Sequence, residues 1–422
     1  MTDDRDGSTT ADRPAALTPP AGAPPLITHG SEQWALQKLY DAAGRPPLRV
    51  EVRSGIAVGP PAADAAATLH VHTRRALFKL LAFPDYYLGA CYTSGEVHVE
   101  GSLVDGLEEL YRALARAQPP GPLQRQLAQW VYKPQRNSPA ESRHNVHRHY
   151  NLGNDFYRLW LDDQLVYTCA YFRTPGSSLE QAQIDKLELI CRKLRLRPGE
   201  RVVETGSGWG ALALHMARHY GVTVHAYNIA HEQVRFARER AQALGLQNQV
   251  TFFEDDYRKI DGRYDVFVSI GMLEHVGLEH FADFGAVIDR SLAPSGRGLL
   301  HFIGRTHPMP LNPWIERHIF PGGYPPALSE LAPILEPANF AVLDVENLRL
   351  HYAKTLEHWL ARFDANEDQV RAMFDARFVR AWRFYLSGSL AAFRAGEMHL
   401  YQLLFNRNGV NDVPWTRDAL HL

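Results

Sequence analysis

Hydrophobic positions change rhythm along the chain, and each change marks an element. Over 28–118, short alternating runs at 48–52 and 66–72 sit among amphipathic stretches that end in the helical run 103–115, which predicts a small α+β domain. Pro119, Pro120, Gly121 and Pro122 break that pattern; a helical stretch then runs to Tyr132 and a polar connection continues through Pro139, so 119–139 is expected as a linker. From Glu180, the residues Ile184, Leu187, Ile190, Cys191 and Leu194 recur at helical spacing until Pro198 and Gly199 stop the helix. Strand-sized runs at 201–204, 222–227, 250–253 and 264–270 then alternate with helices ending at Tyr220 and Leu244. Such a βαβαβ succession implies right-handed crossovers, hence a parallel sheet with helices on both faces. Residues 355–407 follow a mostly helical period, with Trp359, Leu360 and Phe363 and later Trp382, Tyr385, Leu386, Leu390 and Phe393. Residues 1–27, rich in Pro, Ala, Thr and Asp, bury too little apolar surface to offset ordering and are expected as a disordered head.

Charge and composition narrow the function classes. The 422 residues carry 45 Lys and Arg against 47 Asp and Glu, which argues against a nucleic-acid binder working through counterion release. No apolar run approaches the roughly 18 residues of a bilayer span, and 266–273 is only strand-sized. Residues 1–30 hold Asp3, Asp4 and Asp6 and no apolar core of a signal peptide. Cys91, Cys169 and Cys191 are odd in number and lack CxxC spacing, which suits reduced thiols in a cytoplasm. His144, His147 and His149 have no Cys or carboxylate to complete a ligand set, so no metal is expected.

The chemistry begins at Glu204-Thr205-Gly206-Ser207-Gly208-Trp209-Gly210, an acid at a strand end followed by glycines where the backbone must turn and approach a ligand. The spacing is not GxGxxG and no Gly-Lys-Ser/Thr follows, so NAD and ATP lose ground. E-x-G-x-G after a strand resembles the first motif of S-adenosylmethionine methyltransferases, in which the acid handles the cofactor's amino-acid end. After the second strand, where an acid for the ribose is usual, stand Asn228 and Gln233, an amide pair able to do that hydrogen bonding.

From about Gly89 onward the chain resembles the cyclopropane-fatty-acyl-phospholipid synthases, relatives of the mycolic acid cyclopropane synthases. The resemblance is carried by His149-Tyr150-Asn151-Leu152-Gly153-Asn154-Asp155-Phe156-Tyr157, Tyr167-Thr168-Cys169-Ala170-Tyr171-Phe172, Ser269-Ile270-Gly271-Met272-Leu273-Glu274-His275-Val276-Gly277, His301-Phe302-Ile303-Gly304, Ile319-Phe320-Pro321-Gly322-Gly323 and His351-Tyr352-Ala353-Lys354-Thr355-Leu356. It implies an α/β fold, a Rossmann-like class I methyltransferase sheet with helical insertions over 140–422, and a lipid-associated N-terminal domain over 28–118. It places Tyr167, Thr168, Glu204, Gly206, Ser207, Gly208, Trp209, Gly210, Asn228, Gln233, Asp256 and Tyr257 at the S-adenosylmethionine. A cage around a bicarbonate ion maps onto Cys169, Glu274, His301, Ile303 and Tyr352. Departures are Ser207 where the family usually has Cys, Asn228-Ile229-Ala230 where it tends to have Thr-Leu-Ser, and Gly89-Ala90-Cys91-Tyr92 where it has Gly-Glu-Ala-Tyr.

The chemistry explains these residue types. An isolated cis alkene is a weak nucleophile and needs a sulfonium methyl held in line. Ring closure then needs a small base in a pocket too dry for water to intervene. Donors expected to hold that base are His301, the Tyr352 hydroxyl, the Cys169 thiol and the Ile303 N–H; Glu274 is expected either to orient His301 or to share a proton with the bicarbonate, and His275 is left outside the chemistry. The expected activity is cyclopropanation of cis double bonds in phospholipid acyl chains. Its alternatives are a C-methyltransferase giving methyl-branched chains and a non-catalytic lipid-binding protein. The expected setting is cytoplasmic, peripheral to the inner face of the membrane through basic patches such as Arg74 with Arg75 or Arg136 with Arg143, with a tendency to homodimers.

Overall fold

The computed structural model describes residues 29–116 and 152–418. The head, the 119–139 linker, Arg136, Arg143 and the three histidines at 144, 147 and 149 lie outside the described residues.

The first unit is α+β. Strands β1 (Arg49–Val52), β2 (Ala57–Val58), β3 (Ala67–Val71) and β4 (Val97–Gly101) form a sheet in the order β2-β1-β3-β4, with β1 and β3 parallel and the other pairs antiparallel. Val50, Val52 and Val71 point into a small core closed by Leu36, Leu77 and Leu80 from the helices His29–Ala42 and Arg74–Ala82.

The second sheet has seven strands, and its first four occupy the stretches the periodicity marks: β5 (Arg201–Thr205), β6 (Thr223–Asn228), β7 (Val250–Glu254) and β8 (Tyr264–Ile270). With β9 (Leu292–Gly304), β10 (Phe340–Asn347) and β11 (His399–Arg407) the order is β10-β11-β9-β8-β5-β6-β7. Strands β5 to β9 are mutually parallel, whereas β11 is antiparallel to both β9 and β10. This corrects the helical reading of 355–407. Helices Arg349–Ala365, Glu367–Met373 and Ala376–Ala395 end at Gly396, whose φ of 87° stops the last of them, and 399–407 turns back into the sheet. There β11 is buried from Leu400 to Asn406, so both of its faces meet the core and the sequence gives no clean alternation of apolar and polar positions.

The strand order reverses direction at β5, which lies between β6 and β8, and such a switch point opens a crevice at the carboxyl ends of the strands. Helix Leu179–Lys193, capped by the Ser178 side chain accepting from Gln181 N, covers one face with Leu187, Ile190 and Leu194. Phe156, Tyr157, Trp160, Tyr167, Trp359 and Trp382 form an aromatic cluster that reaches the crevice through Tyr167.

The two units pack together through the helix Ala376–Ala395. Arg380 Nε donates to Thr93 O at 2.9 Å and Asn312 Nδ2 to Asp85 O at 2.9 Å. Gly89 lies so close to Trp314 that a Cβ would sit 2.5 Å from the indole, which gives this glycine a packing reason.

Candidate active site

The crevice at the switch point is lined by Tyr167, Thr168, Glu204, Gly206, Ser207, Gly208, Trp209, Asn228, Gln233, Asp256 and Tyr257. Eleven of the twelve residues expected at the cofactor therefore meet there. The twelfth, Gly210, stands behind the loop: its φ is 85°, and a Cβ would lie 2.7 Å from Phe252 and 2.9 Å from Ala237, so only glycine lets the following helix pack on β7. Gly206 is likewise closed off by Met272, at 2.9 Å. Gly208 differs, since at φ 53° its Cβ position meets nothing within 4 Å. Trp209 Nε1 donates to Asn154 Oδ1 at 2.7 Å, tying the Asn154–Tyr157 part of the His149–Tyr157 motif to the loop.

Polar groups converge on this space. Glu204, 2% exposed, has its carboxyl pKa pushed up to about 8 by burial, partly offset by the Lys186 ammonium, and its Oε2 has no protein partner. Lys186 is itself drawn down to about 8 by burial, and its Nζ donates to Thr168 Oγ1 at 3.0 Å. Ser207 Oγ and Tyr257 OH are also buried without a partner.

Asn228 is more committed than expected. Its Nδ2 donates to Gln233 Oε1 at 2.9 Å and to Gly208 O at 3.2 Å, and its Oδ1 accepts from Ala230 N. It therefore shapes the loop, and of the amide pair Gln233 Nε2 is the donor not used in these bonds. Asp256 caps the short turn Tyr257–Lys259 by accepting from Arg258 N. Sequence reasoning missed Lys186, Asp255 and His275, all of which line the crevice. Burial lowers the His275 pKa to about 4, so this ring is neutral.

The five residues of the expected cage come from four separate segments, linked through the backbone. Gly271 N donates to His301 O at 2.8 Å, which joins the crevice wall to β9. Glu274 follows in a short turn, and its Oε1 accepts from Ile303 N at 2.6 Å. Leu400 faces Ile303 across the β9–β11 register and accepts from Leu348 N at 2.8 Å. Leu348 O in turn accepts from Tyr352 N at 3.1 Å and lies 4.0 Å from Cys169 Sγ.

Several expected roles change in consequence. The Ile303 N–H is spent on Glu274 and is no donor to an anion. Glu274 does not orient His301; His301 Nδ1 instead meets Gln402 Nε2 at 3.1 Å, a partner that sequence reasoning did not name. The Cys169 thiol donates to Ala170 O at 3.2 Å, and burial pushes its pKa far up, so it is a neutral thiol and no nucleophile. Among the described residues, the buried atoms Glu274 Oε2 and His301 Nε2 have no hydrogen-bond partner. Burial pushes the Glu274 pKa up to about 7 and holds that of His301 well below its usual value.

The family model described as mycolic acid cyclopropane synthetase matches residues 137–403. A cyclopropane-fatty-acyl-phospholipid synthase of Escherichia coli is 40% identical over 266 residues, covering 63% of this chain and 68% of its own. A probable fatty acid methyltransferase of Pseudomonas putida is 37% identical over 348 residues, covering 79% of this chain and 86% of its own. Among solved structures, mycolic acid cyclopropane synthase CmaA1 complexed with SAH and CTAB superposes with a TM-score of 0.60 at 31% identity, covering 63% of this chain and 98% of that one.

Proposed function

The chain belongs to the mycolic acid cyclopropane synthetase family of S-adenosylmethionine-dependent methyltransferases, and on that premise we propose that it cyclopropanates cis double bonds in phospholipid acyl chains. The observation that carries this reading is the pair of orphaned buried atoms, Glu274 Oε2 and His301 Nε2, one backbone hydrogen bond away from the crevice wall at Gly271.

The residues present fit both small molecules that the reaction needs. S-adenosylmethionine, when bound, supplies a sulfonium methyl as electrophile. Glu204, with a free buried oxygen at the end of β5, suits the cofactor's ammonium; Gly208 leaves its side of the loop open; Gln233 and Tyr257 offer polar atoms farther along the crevice. Bicarbonate, when bound, supplies a base small enough to share a pocket with an acyl chain. A neutral His301 donates from Nε2, and Glu274, titrating near neutrality, holds or accepts a proton at Oε2. Tyr352, tilted against Phe393 at 4.6 Å and edge-on to Trp359 at 5.9 Å, and the aromatic cluster around Trp160 exclude water from the reacting carbons.

Access to acyl chains fits peripheral docking by the first unit. Trp34, Phe78 and Phe83 are exposed there, with Arg74 over the Phe78 ring at 5.6 Å and Arg75 beside it. Among the described residues no helix is long and apolar enough to cross a membrane.

A second reading, methyl transfer to an acyl chain without ring closure, is suggested by the relative named a probable fatty acid methyltransferase. The two are separated by expressing the protein in a host with unsaturated phospholipids and examining its fatty acids by mass spectrometry. Gain of one CH2 with loss of the alkene to a ring supports cyclopropanation; gain of one CH2 with the alkene kept, or of one CH2 and two hydrogens with the alkene reduced, supports branching. No change despite cofactor binding overturns both.

A further inference from the structure

A row of polar side chains crosses three adjacent strands and ends at His301. Glu346 on β10 lies opposite Gln402 on β11, and Gln402 lies opposite His301 on β9. Lys193, at the end of helix Leu179–Lys193, enters this row from the face: its Nζ pairs with Glu346 and donates to Gln402 Oε1 at 2.7 Å. Gln402 Nε2 meets His301 Nδ1 at 3.1 Å. Lys193, Gln402 and His301 are each 1% exposed, so bulk water does not substitute for any of these contacts.

Donor and acceptor arithmetic gives the row one proton arrangement. An ammonium carries only donors, so the Gln402 atom facing Lys193 is the oxygen and the amide nitrogen faces His301. An amide nitrogen only donates, so His301 Nδ1 must offer its lone pair. A neutral imidazole accepting at Nδ1 carries its proton on Nε2. Burial and the Lys186 and Lys193 cations keep His301 neutral. Burial lowers the Lys193 pKa, while Glu346, paired with its Nζ, and Asp344 favour its charge and Arg417 opposes it.

We propose that Lys193, acting through Gln402, sets His301 in the Nε2–H tautomer, making Lys193 and Gln402 positioning residues that aim a neutral donor at the anion in the reaction pocket. The role of that donor rests on the proposed function; the tautomer does not. With the row broken, the Nδ1–H form becomes accessible and presents a lone pair to the anion instead.

The test is 15N imidazole NMR of the full chain labelled at histidine, with His301→Asn identifying the resonance by its loss. The wild-type ring is expected to carry its proton on Nε2 near pH 7. Gln402→Glu, whose carboxylate accepts from both neighbours, is expected to move the proton to Nδ1 and cut turnover at least tenfold, with the cofactor Kd changed less than twofold. A wild-type proton on Nδ1 overturns the proposal, and this measurement stands even if Gln402→Glu does not fold. So does a Gln402→Glu ring unchanged in tautomer, or a changed tautomer with full turnover. If the wild-type tautomer is as expected while lipid mass never changes in the expression assay, the proposed function fails and the tautomer assignment survives.

Discussion

Ile303 donates its main-chain N–H to Glu274 Oε1 at 2.6 Å, while the other oxygen of that carboxyl is buried without a partner. The bond fixes one oxygen and leaves the second for chemistry. Glu274→Gln keeps an acceptor for Ile303 and removes only the titrating group. Its expected effect is a turnover loss of about 100-fold or more, the scale of general acid–base catalysis, with the cofactor Kd nearly unchanged. Radiolabelled methyl transfer to unsaturated phospholipid vesicles, beside calorimetric cofactor binding, measures both; undiminished turnover would remove Glu274 from the chemistry.

Glu204 links cofactor binding to pH. Burial raises its pKa to about 8 in the free protein, and a cofactor ammonium beside it favours the ionised form. Binding at pH 7 should therefore release a proton, and affinity should tighten as pH rises toward 8 and then level off. Titration calorimetry in buffers of different ionisation enthalpy detects the released proton. Glu204→Gln should abolish that release and flatten the pH dependence.

The same burial has a stability signature. Carboxyls raised from 4.5 to about 8 at Glu204 and about 7 at Glu274 favour the protonated fold. Their contribution is complete below about pH 4.5 and is lost as pH rises through those raised values. At Glu274 the difference corresponds to about 3 kcal/mol at 1.36 kcal/mol per unit. Thermal unfolding without cofactor, between pH 5 and 8, should show Glu274→Gln gaining on the wild type as pH increases; a constant gap contradicts the buried titration.

The glycine loop separates packing from binding. Gly210→Ala forces a Cβ against Phe252 and Ala237 at a φ of 85°, and should cost roughly 2 to 4 kcal/mol of stability. Gly208→Ala meets nothing within 4 Å among the described residues, so it should cost only about 1 kcal/mol for the left-handed backbone while weakening the cofactor at least tenfold. Denaturant unfolding and equilibrium binding on the two variants resolve the contrast.

All three cysteines are buried and unpaired. Burial raises each thiol above its usual pKa, Cys91 to about 11 and the other two further. Folded protein at pH 8 should resist thiol reagents and react at all three positions on unfolding. Fast labelling of Cys169 in the native state would contradict its placement as a neutral, enclosed thiol.

Local signals carried much of this protein into view. The βαβαβ rhythm from 201 to 270 and the Glu204–Gly210 turn depend on residues adjacent in the chain, and eleven of the twelve expected cofactor residues line one crevice. What adjacency could not reveal was which atoms are already spent. Asn228 spends its amide on Gly208 and Gln233, and Ile303 spends its N–H on Glu274, because side chains distant in sequence close on them only in the folded sheet. Gln402 was hidden for a stronger reason. The segment 399–407 is buried on both faces, so its sequence shows no period-2 alternation that separates a strand from a helix, and a helical reading gives it no strand register. The chain alone determined that a methyl-transferring site exists and which residue types it uses. Tertiary structure decided, by placing β11 antiparallel between β9 and β10, that Glu346, Gln402 and His301 stand in one row and so where the proton on His301 resides.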